Sequence, residues 1–153
     1  VMYRARVLAE LKGFLPGLWP GEDVEFDYRI RKRGWSIVFT SHAIVYHYRP
    51  QDLPGFLRMM DRYGWAQGVL VRLHGFFRPI QYLPLILVAV VTAGLWKPVI
   101  VAIAVFALAA YMLVYRWRWI SICLFFPALA FWLKGYMRGV SRSARFVEGG
   151  DIL

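Results

Sequence analysis

Three groups of side chains in this sequence have the types and spacing for chemistry. Gly21-Glu22-Asp23 follows a stretch punctuated by Gly13, Pro16, Gly17 and Pro20. A carboxylate there can act as a general base if it reaches the proton it removes. The plainer role is capping a helix, and composition alone favours it. His47 stands just ahead of Tyr48-Arg49-Pro50. Neutral imidazole suits a divalent metal or a phosphate contact. His42 and His74 lie at no diagnostic metal-site interval, and a lone histidine is more often an ordinary surface or core residue. Arg58 and Arg62 lie four apart in Arg58-Met59-Met60-Asp61-Arg62-Tyr63-Gly64. Guanidinium forks match a diphosphate, and they equally match lipid phosphates beneath an amphipathic helix.

These residues need elements to hold them. Val1 to Leu11 reads as a short strand and then a helical turn. Glu22 and Asp23 open a helix that runs to about Arg33, with basic residues in its last turn and Gly34 as the stop. Glu25 with Arg29 and Asp27 with Arg31 are favourable pairs four apart. Trp35 to Phe39 and Ala43 to His47 are rich in β-branched and aromatic residues and read as strands. Asp52 caps a helix starting near Pro54 and running to about His74. The first 78 residues are therefore expected to be α/β.

From residue 79 the texture changes. The apolar runs 80–96 and 99–115 are separated by Lys97-Pro98 and suggest a transmembrane hairpin. Trp96, Tyr111, Tyr115, Trp117 and Trp119 suit the interfaces. A third apolar run over 119–133 contains Pro127 and is followed by Lys134, Arg138, Arg142 and Arg145, and the helix it forms over 119–137 is in-plane or spanning. The positive-inside rule places Arg72, Arg78, Arg116 and Arg118 in the cytoplasm, and an in-plane third helix keeps the tail there too. The expected units are 1–78, a helical membrane region over 79–140, and a basic then acidic tail over 141–153.

Composition agrees with an anchored protein. The 153 residues are 59% hydrophobic, with a net charge of +10 and a mean hydropathy of +0.47. The basic residues flank apolar runs, which points to anionic lipid. No nucleic-acid motif accompanies the charge, so nucleic acid is not an expected partner. Cys123, within an apolar run, is expected to be a buried, inert thiol. Val1 to Glu10 has no signal-peptide core, and an opening without methionine suggests truncation.

The ordered set Met2-Tyr3-Arg4-Ala5, Gly13-Phe14, Gly21 to Phe26, Arg29 to Gly34, Ala43 to His47 and Arg62-Tyr63-Gly64 resembles a family. It is similar to the C-terminal half of a family 2 glycosyltransferase catalytic domain, of the GT-A fold. The nearest kin by this resemblance are bacterial membrane-bound members that build exopolysaccharide or lipid-linked glycans. Gly135-Tyr136-Met137-Arg138-Gly139 fits more loosely.

The resemblance implies roles. Asp23 would be the catalytic base for inverting transfer, and Glu22 its motif partner. His47 would contact a divalent metal, magnesium or manganese. Arg62, with Arg58 beside it, would grip the diphosphate of a nucleotide-sugar donor. The acceptor would be lipid-linked or a glycan, at the cytoplasmic face of a bacterial inner membrane. Tyr63, not tryptophan, follows Arg62, which favours single-sugar transfer over long polymers. The family's Asp-x-Asp motif is absent from the sequence, so the chain reads as a fragment without its donor half. The competing reading is a non-catalytic membrane module whose basic head docks a partner or lipid.

Overall fold

A computed structural model describes residues 2–42, 44–114 and 119–141. The elements are α1 (Ala5–Glu10), α2 (Glu22–Lys32), α3 (Leu53–His74), a 3-10 turn (Pro79–Tyr82), α4 (Leu83–Trp96), α5 (Pro98–Val114) and α6 (Trp119–Ser141). Among the described residues there is no strand, so the expected α/β, GT-A-like segment is corrected to a helical one. Val1 and Ala43, parts of expected strands, lie outside the described residues. The rest of the two stretches is extended chain, and Val38, Phe39, Ile44 and Tyr46 are exposed. Their residue types favour a pleated surface, but a strand exists only through a ladder with a neighbour. No such ladder forms here, and a lone two-stranded hairpin is marginal.

Helix α2 follows its local signals. Gly21 takes φ 111° immediately before it, and Glu22, Asp23 and Glu25 fill the first turn. At the other end, the Trp35 N–H donates to the Ile30 carbonyl at 3.2 Å and the Gly34 N–H to Arg31 at 3.0 Å. This is a Schellman closure, with Gly34 at φ 83° supplying the left-handed residue. The inner face of α2 packs on α1 through Phe26 and Ile30 against Val7 and Leu11. Phe26 is fully buried, which contributes ~2 kcal/mol.

Helix α3 starts where Asp52 accepts a hydrogen bond from the Gly55 N–H, with Pro54 in the first turn. It ends at Gly75, whose N–H donates to Val71 at 2.8 Å. Its middle is buried on two sides. Val69 and Leu70 pack with Leu18 of the loop before α2, joined by Val24 and Phe77. The opposite side meets α6 along a seam of glycines. A Cβ on Gly64 would lie 1.9 Å from the Trp132 carbonyl oxygen, and one on Gly68 2.2 Å from that of Tyr136. Reciprocally, a Cβ on Gly135 would meet the Asp61 carbonyl oxygen at 1.9 Å and one on Gly139 that of Trp65 at 2.2 Å. Small residues four apart on both helices thus let the backbones touch. Arg138 closes the seam with an ion pair to Asp61 at 2.7 Å.

A buried polar knot joins the seam to the turn before α4. The Gln81 side-chain oxygen accepts from the N–H groups of Phe77 (2.9 Å) and Arg78 (3.0 Å). Its amide donates to Gln67 at 3.2 Å, and the Tyr136 hydroxyl donates to the Gln81 carbonyl at 3.1 Å. Helices α4 and α5 pack on each other, with Gly94 against Val101 at the Lys97 break. Leu85, Ile86, Val88, Val91, Val105 and Phe106 remain exposed. Pro79–Trp96 is long and apolar enough to cross a membrane, and Val101–Met112 is a shorter apolar stretch. Cys123 is exposed, which corrects the expected burial: apolar sequence does not imply burial on a helix whose outer face is uncovered.

Candidate active site

The loop before α2, the first turn of α2 and Tyr3 line an open cavity of about 390 Å³. It is lined by Tyr3, Phe14, Leu15, Gly17, Leu18, Trp19, Glu22 and Asp23. Leu18 is buried in the α3 core while its neighbour Trp19 is exposed. One residue anchors the loop and the next is turned outward. Gly21 lies so close to α3 that a Cβ there would stand 3.0 Å from that of Ala66.

Asp23 is solvent-exposed at the helix start, and its Oδ1 accepts from the Val24 N–H at 2.7 Å. The Oε2 atom of Glu22 is buried without a hydrogen-bond partner. A buried acceptor of this kind calls for a donor. The Tyr3 hydroxyl donates to Asp27 Oδ1 at 3.0 Å, and its ring meets Phe26 edge-on with centroids 5.0 Å apart. Burial first, and then the Asp27 carboxylate, hold the Tyr3 hydroxyl above the usual tyrosine pKa.

The loop is held from behind by Arg29. Its Nε and Nη2 grip both oxygens of Glu25 at 2.8–2.9 Å. Its Nη1 donates to the Leu11 carbonyl at 2.6 Å and its Nη2 to that of Gly13 at 2.7 Å. His74 Nε2 lies 2.8 Å from the other side of Glu25, at Oε1. Burial pushes the Glu25 carboxyl up, but hydrogen bonds from His74 and Arg29 and their charge outweigh it, leaving its pKa below the ordinary value. The Glu25–Arg29 pair was visible in the sequence as a surface-type pair. Its burial and its contact with His74, 49 positions away, were not.

The predicted residues are partly brought together. Glu22 and Asp23 share the cavity. Arg62 reaches its rim from α3, with its guanidinium carbon 5.2 Å from the Trp19 ring centroid. Arg58 lies exposed one turn earlier on α3. His47 stands exposed in the extended segment, outside the cavity lining. That segment is tied to α3 by Arg49, which donates to the Tyr63 hydroxyl at 2.9 Å. Among the described residues no group of three or more His, Cys, Asp or Glu side chains could hold a metal ion. His47 therefore has no co-ligands there, and these residues do not by themselves fit a metal centre. Tyr3, Phe14, Trp19 and Arg29 were missed as site residues. The one available signal was aromatic residues inside a Gly/Pro-rich loop directly before Gly21-Glu22-Asp23.

A family model described as glycosyl transferase family group 2 matches residues 1–134. The chain belongs to this family. Comparison with curated proteins returned no match, and comparison with solved structures returned none. Family membership makes glycosyl transfer the general reaction, with a sugar donor and a glycan acceptor as its general substrates. It gives the paired carboxylates at the cavity a chemical context that helix capping alone lacked.

Proposed function

We propose that the chain carries the acceptor side of a membrane-bound glycosyltransferase. In this reading it moves a sugar from a nucleotide-sugar to a lipid-linked or glycan acceptor at the cytoplasmic face of a bacterial inner membrane. The observation that carries it is that Glu22 and Asp23 line one cavity with Trp19, over whose ring Arg62 lies, within a chain of this family. Asp23 takes the proton from the acceptor hydroxyl. The freed oxygen pair attacks the anomeric carbon from the face opposite the leaving diphosphate, the bond to the diphosphate oxygen breaks, and configuration inverts. The leaving diphosphate carries away the bonding electrons, and Arg62 with Arg58 offsets its charge. Glu22, beside Asp23 in the cavity lining, positions the acceptor or the loop. His47 approaches the donor from the segment tethered by Arg49. The exposed apolar helices α4 and α5 support a membrane location for all of this, since bare apolar surface of that extent belongs against lipid or protein.

The test is Asp23→Asn in the intact enzyme, assayed in membranes with a panel of labelled nucleotide-sugars. Transfer should fall by roughly 10²–10⁴-fold, the usual worth of a general base, while the protein still sediments with membranes. Transfer within a few-fold of the unaltered enzyme would remove Asp23 as the base.

A further inference from the structure

We infer that Trp19 is the platform on which the acceptor's sugar ring stacks, and that it helps decide which acceptor the cavity takes. This rests on the reading of Glu22 and Asp23 as the acceptor side, and it adds the chemical class of what lies there. A cavity of about 390 Å³ is at the small end of ligand sites, which run from about 300 to 1,000 Å³. It has room for a ring or two.

The lining combines two kinds of surface. Tyr3, Phe14 and Trp19 contribute rings, and Glu22 and Asp23 contribute carboxylates. A sugar has the matching pair: a ring face of C–H bonds and a rim of hydroxyl donors. Polarised C–H groups rest on the negative face of an aromatic ring, and hydroxyls donate to carboxylates. The two carboxylates favour a neutral or amine-bearing ring.

Trp19 is 66% exposed, an unusual exposure for so large an apolar ring in the wall of a cavity. It is nevertheless not loose. Leu18 is fixed in the α3 core beside it, and the Arg62 guanidinium lies over its ring. A cation–π contact sets the plane of the indole in advance, so little side-chain freedom remains to be lost on binding.

The experiment is an NMR titration of the full chain in detergent micelles, labelled with ¹⁵N-tryptophan. The Trp19 indole N–H signal is assigned by its loss in Trp19→Phe. The titrants are cellobiose, maltose, lactose and chitobiose. At least one disaccharide should shift the Trp19 signal saturably. Because every Trp19 variant lacks that signal, binding to the variants is read by isothermal titration calorimetry, where Trp19→Ala should weaken it by roughly tenfold, the size of one stacking contact. Trp19→Phe, which keeps a ring if Trp19→Ala fails to fold, should stay within about threefold. The inference is overturned if no disaccharide moves the Trp19 signal, or if Trp19→Ala binds the disaccharide as tightly as the unaltered chain. Binding is read here without transfer. An Asp23→Asn enzyme that still transfers sugar would refute the assigned base, while leaving the Trp19 result to stand or fall by itself.

Discussion

Gly64→Ala adds one methyl group where α3 and α6 touch. The new Cβ would lie 1.9 Å from the Trp132 carbonyl oxygen, whereas ordinary contact begins at 3.4 Å. The seam must open by about 1.5 Å, the difference between the two. Both sides of the clash are backbone-fixed, so no rotamer change relieves it. Overpacking of this kind costs about 1–3 kcal/mol, and this geometry belongs near the upper end. Opening also stretches the Arg138–Asp61 pair, now 2.7 Å. Against this, alanine is a better helix former than glycine by about 1 kcal/mol. The net expectation is a loss of about 2 kcal/mol. For a chain of this size that lowers Tm by roughly 4–8 °C, read by circular dichroism in detergent micelles. Gly135→Ala should cost a similar amount alone and less when Gly64→Ala has already opened the seam. Met137→Ala, on the exposed side of α6, is the control. An unchanged or raised Tm for Gly64→Ala is the outcome dictated by helix propensity alone, and it would refute the packed seam.

The other stability expectations concern buried polar groups. Arg29→Met removes the partner of the fully buried Glu25 and frees the Leu11 and Gly13 carbonyls; unfolding should become easier by about 3 kcal/mol, measured by thermal or denaturant melting. Glu25 also predicts a pH dependence. Its folded pKa lies below its ordinary value, so its contribution is complete above the ordinary carboxylate range and is lost as pH falls through the depressed folded value. Tm measured against pH should fall on that acidic limb and flatten in Glu25→Gln; an unaltered limb would exclude Glu25 as its source. Gln81→Ala strands the Phe77 and Arg78 N–H groups at a cost of about 2–3 kcal/mol, whereas Tyr136→Phe removes a single hydrogen bond and should cost about 1 kcal/mol.

What the sequence made legible was local. Gly21, the acidic first turn and Gly34 delimit α2 because capping and dipole effects act within a few residues. Asp52 and Pro54 marked the start of α3 for the same reason. The extended stretches around Ile37 and Val45 were misjudged because strand propensity describes a residue's fit to a sheet and says nothing about whether a neighbouring strand is there. The glycine seam also escaped. Gly64, Gly68, Gly135 and Gly139 are spaced for close packing, but which helices meet depends on contacts across some 70 positions. At the site, Glu22 and Asp23 were legible because they are adjacent. Trp19 beneath Arg62 was not, because only the folded loop brings 43 positions of separation to a 5.2 Å contact.

These long-range contacts bear on how the site is held. The cavity is walled by an irregular loop, and irregular loops move unless something fixes them. Two supports fix this one. Arg29 holds the Leu11 and Gly13 carbonyls from α2, and Leu18 is set into α3 between Val69 and Leu70. Trp19 then takes its orientation from Arg62, also on α3. The position of α3 therefore enters the cavity twice, through an apolar anchor and through a cation. Helix α3 is in turn fixed by α6, whose backbone it touches at Gly64, two residues from Arg62. The second half of an apolar helix thus serves as the brace for a water-facing cavity. An anchor joined by a flexible linker would leave the paired carboxylates free to drift relative to Arg62. A backbone-to-backbone seam leaves almost no such freedom, and groups that act together on one reaction require preorganisation of this kind.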